Sequence, residues 1–184
     1  MRIDALVRAA VAMAVVTAGG LARAQVQPGP EHKLLESEAG TWDAAMKMWT
    51  APEAPPEEAK GVETNTMLGG LWLLSDFKGE FGGQPFLGHG QNGYDVAKNK
   101  YVGTWIDSMS ASIMKMEGTY DPATKSLTMT GKMFDQMAGK EVDVRTVTVR
   151  KSADERVFTM YVPDPSGDKG KDVKMMEITY IRRK

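Results

Sequence analysis

QPFLGHGQNGYDVAKNKYVGTWIDS, residues 84–108, is the stretch whose reading decides the fold. It divides into two strand-like runs, Phe86–Tyr94 and Lys100–Asp107, with Asp95, Lys98 and Asn99 between them. Short polar side chains of this kind bond back to local amides and tolerate left-handed backbone, so the stretch reads as a hairpin. Alternate residues of a strand share a face. Trp105 and Asp107 therefore lie beside Tyr101 and Gly103.

Working outward, the same grammar recurs. Upstream, Gly40-Thr41-Trp42 opens a strand with Trp42, Ala44, Met46 and Met48 on one face. A short helix over Glu31–Ala39, with Leu34 and Leu35 as its apolar contacts, precedes it and stops at Gly40. Val62–Leu68 and Leu71–Glu80 read as strands interrupted by Gly69-Gly70, and Gly79–Pro85 as a glycine-rich hairpin. The three prolines and three glutamates of Ala51–Lys60 predict a mobile acidic connection rather than strand. It joins the first two strands.

Downstream, Ser112, Met114, Met116 and Tyr120 alternate with Lys115, Glu117 and Thr119. Asp121–Lys125 is a turn with proline preset at its second position. Its Tyr-Asp-x-Ala pattern repeats Tyr94-Asp95-x-Ala97. Ser126–Phe134, Glu141–Arg150, Arg156–Val162 and Val173–Arg182 follow, the last two separated by the loop Pro163–Asp172. About ten short strands after one short helix specify an all-β antiparallel up-and-down barrel, or a sandwich.

The first 24 residues read as a signal peptide. Arg2 and Arg8 precede the apolar run Ala9–Ala18, and Ala22-Arg23-Ala24 forms an A-x-A cleavage site. That run is far short of the ~20 residues a membrane span needs. The expected product is a periplasmic or secreted single domain, residues 25–184, with no membrane span. The chain of 184 residues has no cysteine, so disulfide and thiol chemistry are excluded. Near-neutral charge without a basic stripe argues against nucleic acid.

Several motifs carry a resemblance. Helix, then Gly-x-Trp, resembles the opening of the calycins (lipocalin-like barrels), and that resemblance implies an arginine of the last strand lying across the tryptophan. Arg182 shares a face with Met176, Ile178 and Tyr180 and is placed to do so over Trp42. Met67-Leu68-Gly69-Gly70, Gly79-Glu80-Phe81, Gln84-Pro85-Phe86, Gly93-Tyr94-Asp95, Thr104-Trp105-Ile106-Asp107-Ser108, Gly118-Thr119-Tyr120-Asp121 and Met176-Glu177-Ile178-Thr179-Tyr180 are similar, in order, to the bacterial family known as Domain of Unknown Function 1579. That resemblance implies a calycin-type barrel and no particular activity.

A barrel of this size holds one small ligand. The expected occupant is a small hydrophobic or amphipathic molecule, and a non-catalytic role is expected. The candidate lining is Trp42, Tyr94, Trp105, Met114, Met116 and Tyr180, with Asp107 and Arg182 as polar anchors. Met46, Met48 and Tyr120 share the same inner face. If Asp107 points inward it needs a partner such as Arg182, Arg145 or a tyrosine hydroxyl. An enzyme using Asp107 as an acid or base, or a ligand-free barrel with a protein partner, are the alternatives. The same carboxylate can instead cap the turn at Ser108–Ala111.

Twelve methionines remain after residue 24. Their i, i+2 pairs Met46/Met48 and Met114/Met116 read as flexible cavity lining, although thioethers also suit Cu(I). No cofactor or metal is expected. Haem is the alternative, because an axial histidine alone holds the iron in nitrobindin-type barrels. His89, however, shares the outward face of Leu87 and Gln91. Zinc, P-loop, dinucleotide and serine-hydrolase signatures are missing.

Overall fold

The computed structural model describes residues 26–51, 54–136, 139–164 and 171–184, so the expected leader lies outside the described residues. Among the described residues one helix, α1 (His32–Glu36), precedes ten strands: β1 (Gly40–Met48), β2 (Glu57–Leu68), β3 (Trp72–Phe81), β4 (Gln84–Asp95), β5 (Lys100–Asp107), β6 (Ser110–Asp121), β7 (Ser126–Asp135), β8 (Lys140–Arg150), β9 (Glu155–Pro163) and β10 (Asp172–Arg182). Each strand pairs antiparallel with the next, and β1 pairs with β10 to close the barrel. Closure removes the unpaired edges that an open sheet would expose.

The hairpins follow from local side chains. Asp95 Oδ1 accepts from the amides of Ala97 (3.0 Å) and Lys98 (3.3 Å), and Asn99 takes the positive φ that ends the turn. Asp121 repeats this with Ala123 (2.9 Å) and the Thr124 hydroxyl (2.7 Å), and Lys125 takes the positive φ. The echoed Tyr-Asp-x-Ala pattern is thus one turn used twice.

Two expectations need correction. The acidic connection is shorter than Ala51–Lys60, because Glu57–Lys60 is already strand β2. Glu58 and Lys60 point outward into solvent while Ala59 faces in, so the charges cost the strand little; Glu58 approaches Lys47 of β1 at 4.0 Å. The helix is also shorter than Glu31–Ala39. After Glu36 the chain tightens into i→i+3 bonds (Glu38 to Leu35, Ala39 to Glu36) and turns into β1.

On β2 the polar side chains are the buried ones: Glu63 is 6 % and Asn65 3 % exposed, while Thr64, Thr66 and Leu68 face solvent. Elsewhere the inner face is mainly apolar, with Ser75, Thr146 and Arg156 as further buried polar side chains. Trp42, Ala44, Met46, Phe77, Ile178 and Tyr180 form one cluster, and Leu35, Leu73, Tyr101 and Met129 form another beneath α1. No helix of the described residues is long and apolar enough to cross a membrane.

Candidate functional site

The barrel has two unlike ends. Strand β1 starts and β10 finishes at the helix end; the β1–β2, β5–β6 and β9–β10 connections lie at the far end.

At the helix end Trp42 is the centre. Its indole N–H donates to Glu38 O (2.9 Å), and the Arg182 guanidinium lies 4.1 Å over its ring. The cross-strand register Trp42↔Arg182 makes this stack, as the calycin resemblance implied. Arg182 also donates to the carbonyls of Ser37 (2.8 Å) and Ala39. Gly40 is required here: its φ of 120° and a Cβ that would fall 2.7 Å from the guanidinium exclude other residues.

A second arginine, Arg156, lies 4.0 Å over Tyr180 and 4.7 Å over Trp42. It bonds Glu63 Oε1 and sits 2.9 Å from Glu38 Oε2, an ion pair at an angle too poor for a hydrogen bond. Arg150 bonds Glu38 Oε1 from the other side. Burial opposes the charge on Arg156, but Glu63 and then Glu38 more than offset this and hold its pKa above the ordinary arginine value. Burial, and then Glu63, push the Tyr180 phenol well above its usual range. These groups pair charge to charge behind α1, while Glu38 Oε2, Asn65 Oδ1 and Arg156 Nε have no hydrogen-bond partner.

At the far end the inner side chains keep part of their surface in solvent. Phe81, Phe86, Trp105, Phe158 and Met176 pack against the core yet remain partly exposed, as do Met48, Met114 and Asp107. Trp105 lies flat on the wall because β4 offers two glycines beneath it: a Cβ at Gly88 would come within 2.2 Å of the ring, and one at Gly90 within 3.1 Å. Asp107 fixes the same indole. Its Oδ2 accepts from Trp105 Nε1 (3.1 Å) and its Oδ1 from the Met109 amide (2.9 Å). The inward and the turn-capping readings of Asp107 therefore hold together.

The expected charged partners of Asp107 are elsewhere. Arg182 is at the opposite end, and Arg145 points outward to Asp172 (2.8 Å) and the Tyr161 ring (4.2 Å). An indole and a backbone amide suffice because the carboxylate stays near the mouth.

By register all the candidate residues face inward, but the barrel does not bring them together. Trp105, Asp107 and Met114 share the far end; Trp42, Tyr180 and Arg182 belong to the plug. Met116 packs with Tyr101 and Met129 lower in the barrel. Tyr94 lines a cleft of about 550 Å³ between α1 and strands β4, β5, β6 and β8, with Lys33, Tyr101, Tyr120 and Arg150. A wider groove of about 1070 Å³ runs over the outer wall past Val102, Ile113 and Tyr161. His89 is on the outer wall, its Nδ1 2.8 Å from Asp76 Oδ1; His32, the first residue of α1, is buried, its Nδ1 accepting from the Gly29 amide.

Sequence reasoning missed Glu38, Glu63, Arg150 and Arg156. A glutamate and an asparagine two apart, followed by Met67 on the same parity, was the available signal on β2. Its partner Arg156 lies 93 residues away.

A family model covers residues 27–182. The chain belongs to the DUF1579 family. That family is described as a protein of unknown function, and a search of curated proteins finds no match for this member. Among solved structures, this DUF1579 barrel is similar to Rv2717c from M. tuberculosis, with a TM-score of 0.62 and 12 % identity over 86 % of this chain and 100 % of that one. A redesigned β-barrel overlaps with a TM-score of 0.43 and 12 % identity, over 82 % of this chain and 96 % of that one. At such identity the likeness to Rv2717c speaks to fold alone.

Proposed function

We propose that this DUF1579 protein is an exported, non-catalytic barrel, cleaved near Ala24 and working in the periplasm or outside the cell. Its ligand is a small hydrophobic or amphipathic molecule held in the far half of the interior. One observation carries the reading: Phe86, Trp105, Met48, Met114 and Met176, which face inward at the far end, keep solvent exposure, whereas Trp42 and Tyr180 of the plug are buried. Covering that exposed apolar surface with a ligand gains about 25 cal/mol per Å². Trp105, flat against Gly88 and Gly90, is a rigid aromatic wall, and Asp107 holds it there. An acid/base role for Asp107 has less behind it, because both its oxygens already accept hydrogen bonds.

The test is native mass spectrometry of the protein purified from the periplasm, with organic extraction of whatever co-elutes. A stoichiometric lipid-range adduct, or saturable uptake of a fluorescent fatty acid that quenches Trp105, is the expected result. A bare polypeptide that also ignores fatty acids and apolar dyes sinks the reading.

A further inference from the structure

Three methionines from three neighbouring strands stand side by side on the inner wall. Met48 of β1 lies opposite Met176 of β10, and Met176 lies opposite Met160 of β9. All three alternate with outward residues and share the face of Met46 and Ile178. Met160 is 8 % exposed, and Met48 and Met176 are partly exposed, so the row is reached from the far-end mouth. On the other side of Met48 the row continues to Glu57 of β2, which is exposed at the rim.

Same-face neighbours on adjacent strands have Cβ atoms ~4.5–5.5 Å apart. The outer two methionines are therefore about 10 Å apart at the backbone, two strand spacings. Each carries an unbranched side chain with three rotatable bonds. The inner surface of a closed barrel is concave, so side-chain tips approach one another as they leave the wall. Three sulfurs can then converge on one point above Met176. The other methionines do not repeat this arrangement: Met114 faces Trp105 and Met116 faces Gly103 and Gly131 across the ladder, and Met129 faces Thr146.

A thioether is neutral, soft and untitratable, and it selects Cu(I) over hard or borderline cations. We infer that Met48, Met160 and Met176 form a binding site for a soft monovalent cation, Cu(I) or its analogue Ag(I), at the far-end mouth. Glu57 supplies a negative charge on the flanking strand. Among the described residues no group of three or more His, Cys, Asp or Glu could hold a metal, and the chain has no cysteine, so a sulfur-bound metal would point to methionine. The site does not depend on apolar-ligand binding.

The experiment is anaerobic competition for Cu(I) against ferrozine or bathocuproine disulfonate, followed by X-ray absorption at the copper edge. The wild-type protein is expected to withhold one equivalent of Cu(I), with a first shell of sulfur. Met48→Leu/Met160→Leu/Met176→Leu preserves side-chain bulk and is expected to lower the affinity at least tenfold, while Met109→Leu on the β5–β6 turn across the barrel leaves it unchanged. Should the triple variant lose its fold, Met48→Leu alone, at the partly exposed end of the row, is expected to weaken binding by about fivefold. Ag(I) titration of methyl-labelled protein is expected to move the same three methionine methyl signals. Release of all copper to the chelator by the wild type, or unchanged affinity in the folded triple variant, overturns the inference. So does an Ag(I) shift spread over other methionines.

Discussion

The two ends of this barrel bury side chains by different rules. Behind α1 the interior is charged and sealed: Glu38, Glu63 and Arg156 are each at most 9 % exposed and are matched ion to ion around the Trp42 ring. At the far end the inner wall is apolar and sulfur-rich, and it keeps contact with solvent. A polar cluster specifies one arrangement because every mismatch leaves a desolvated charge. A methionine and aromatic wall tolerates different occupants because nothing in it demands a particular geometry. The contrast teaches that one end holds the barrel together by matched charge while the other keeps apolar surface in solvent.

Breaking the sealed end has the largest expected effect. Arg156→Ala leaves Glu63 buried without its cation, and a loss of about 3–5 kcal/mol is expected in urea denaturation. A near-wild-type midpoint would mean that water reaches Glu63 and that the helix end is not sealed.

Gly88→Ala strikes the far end instead. Its Cβ would lie 2.2 Å from the Trp105 ring, so the indole must leave the wall. The expected cost is about 1–3 kcal/mol, with a shift in tryptophan emission and weaker binding of apolar probes. If stability falls and probe binding does not change, Trp105 is a packing residue and not part of a binding wall.

Asp107→Asn sharpens the same point at smaller cost. The amide oxygen accepts from only one of the two donors, Trp105 or Met109, at a cost of about 1 kcal/mol. Probe affinity should drop about fivefold as the ring loosens. Titration of a fluorescent fatty acid separates this from pure turn loss, which lowers the melting temperature only.

The mildest test uses alkaline pH. Burial, with Glu31 adding to it, pushes the Tyr101 phenol up to about 12, and its hydroxyl donates to Glu31 O at 3.0 Å. An unfolded tyrosine releases its proton near pH 10. Below that pH both states are neutral and the stability is fully present. From about pH 10 to 12 the unfolded chain binds fewer protons than the folded one, and stability falls through that window. Tyr101→Phe should lose about 0.5–1.5 kcal/mol at neutral pH and flatten this alkaline limb in pH-resolved thermal melts. An unchanged limb would assign it to Tyr180 at the sealed end.

Much of this was legible in the residues. The residue 84–108 hairpin, the two Asp-led turns and the Trp42–Arg182 stack all came from local chemistry or from motif order. Glu57–Lys60 is strand despite its charges because Glu58 and Lys60 take the solvent face, which composition alone does not reveal. Arg150 and Arg156 carried no signal in their own segment, since each acquires meaning only beside a glutamate from another part of the chain.

Alternation determined, from sequence alone, that there are about ten antiparallel strands and which side chains point inward. Parity repeats every two residues and needs no partner. Height within the barrel was decided only by the tertiary structure. It depends on the register of each strand against its neighbour, and bulges such as those between Trp105 and Asp107 and between Lys174 and Met176 shift that register locally. That is why eight inward residues scattered over two ends. It is also why Met48, Met160 and Met176, more than a hundred positions apart at the extremes, came to stand in one row: closing a meander into a barrel sets its last strand beside its first.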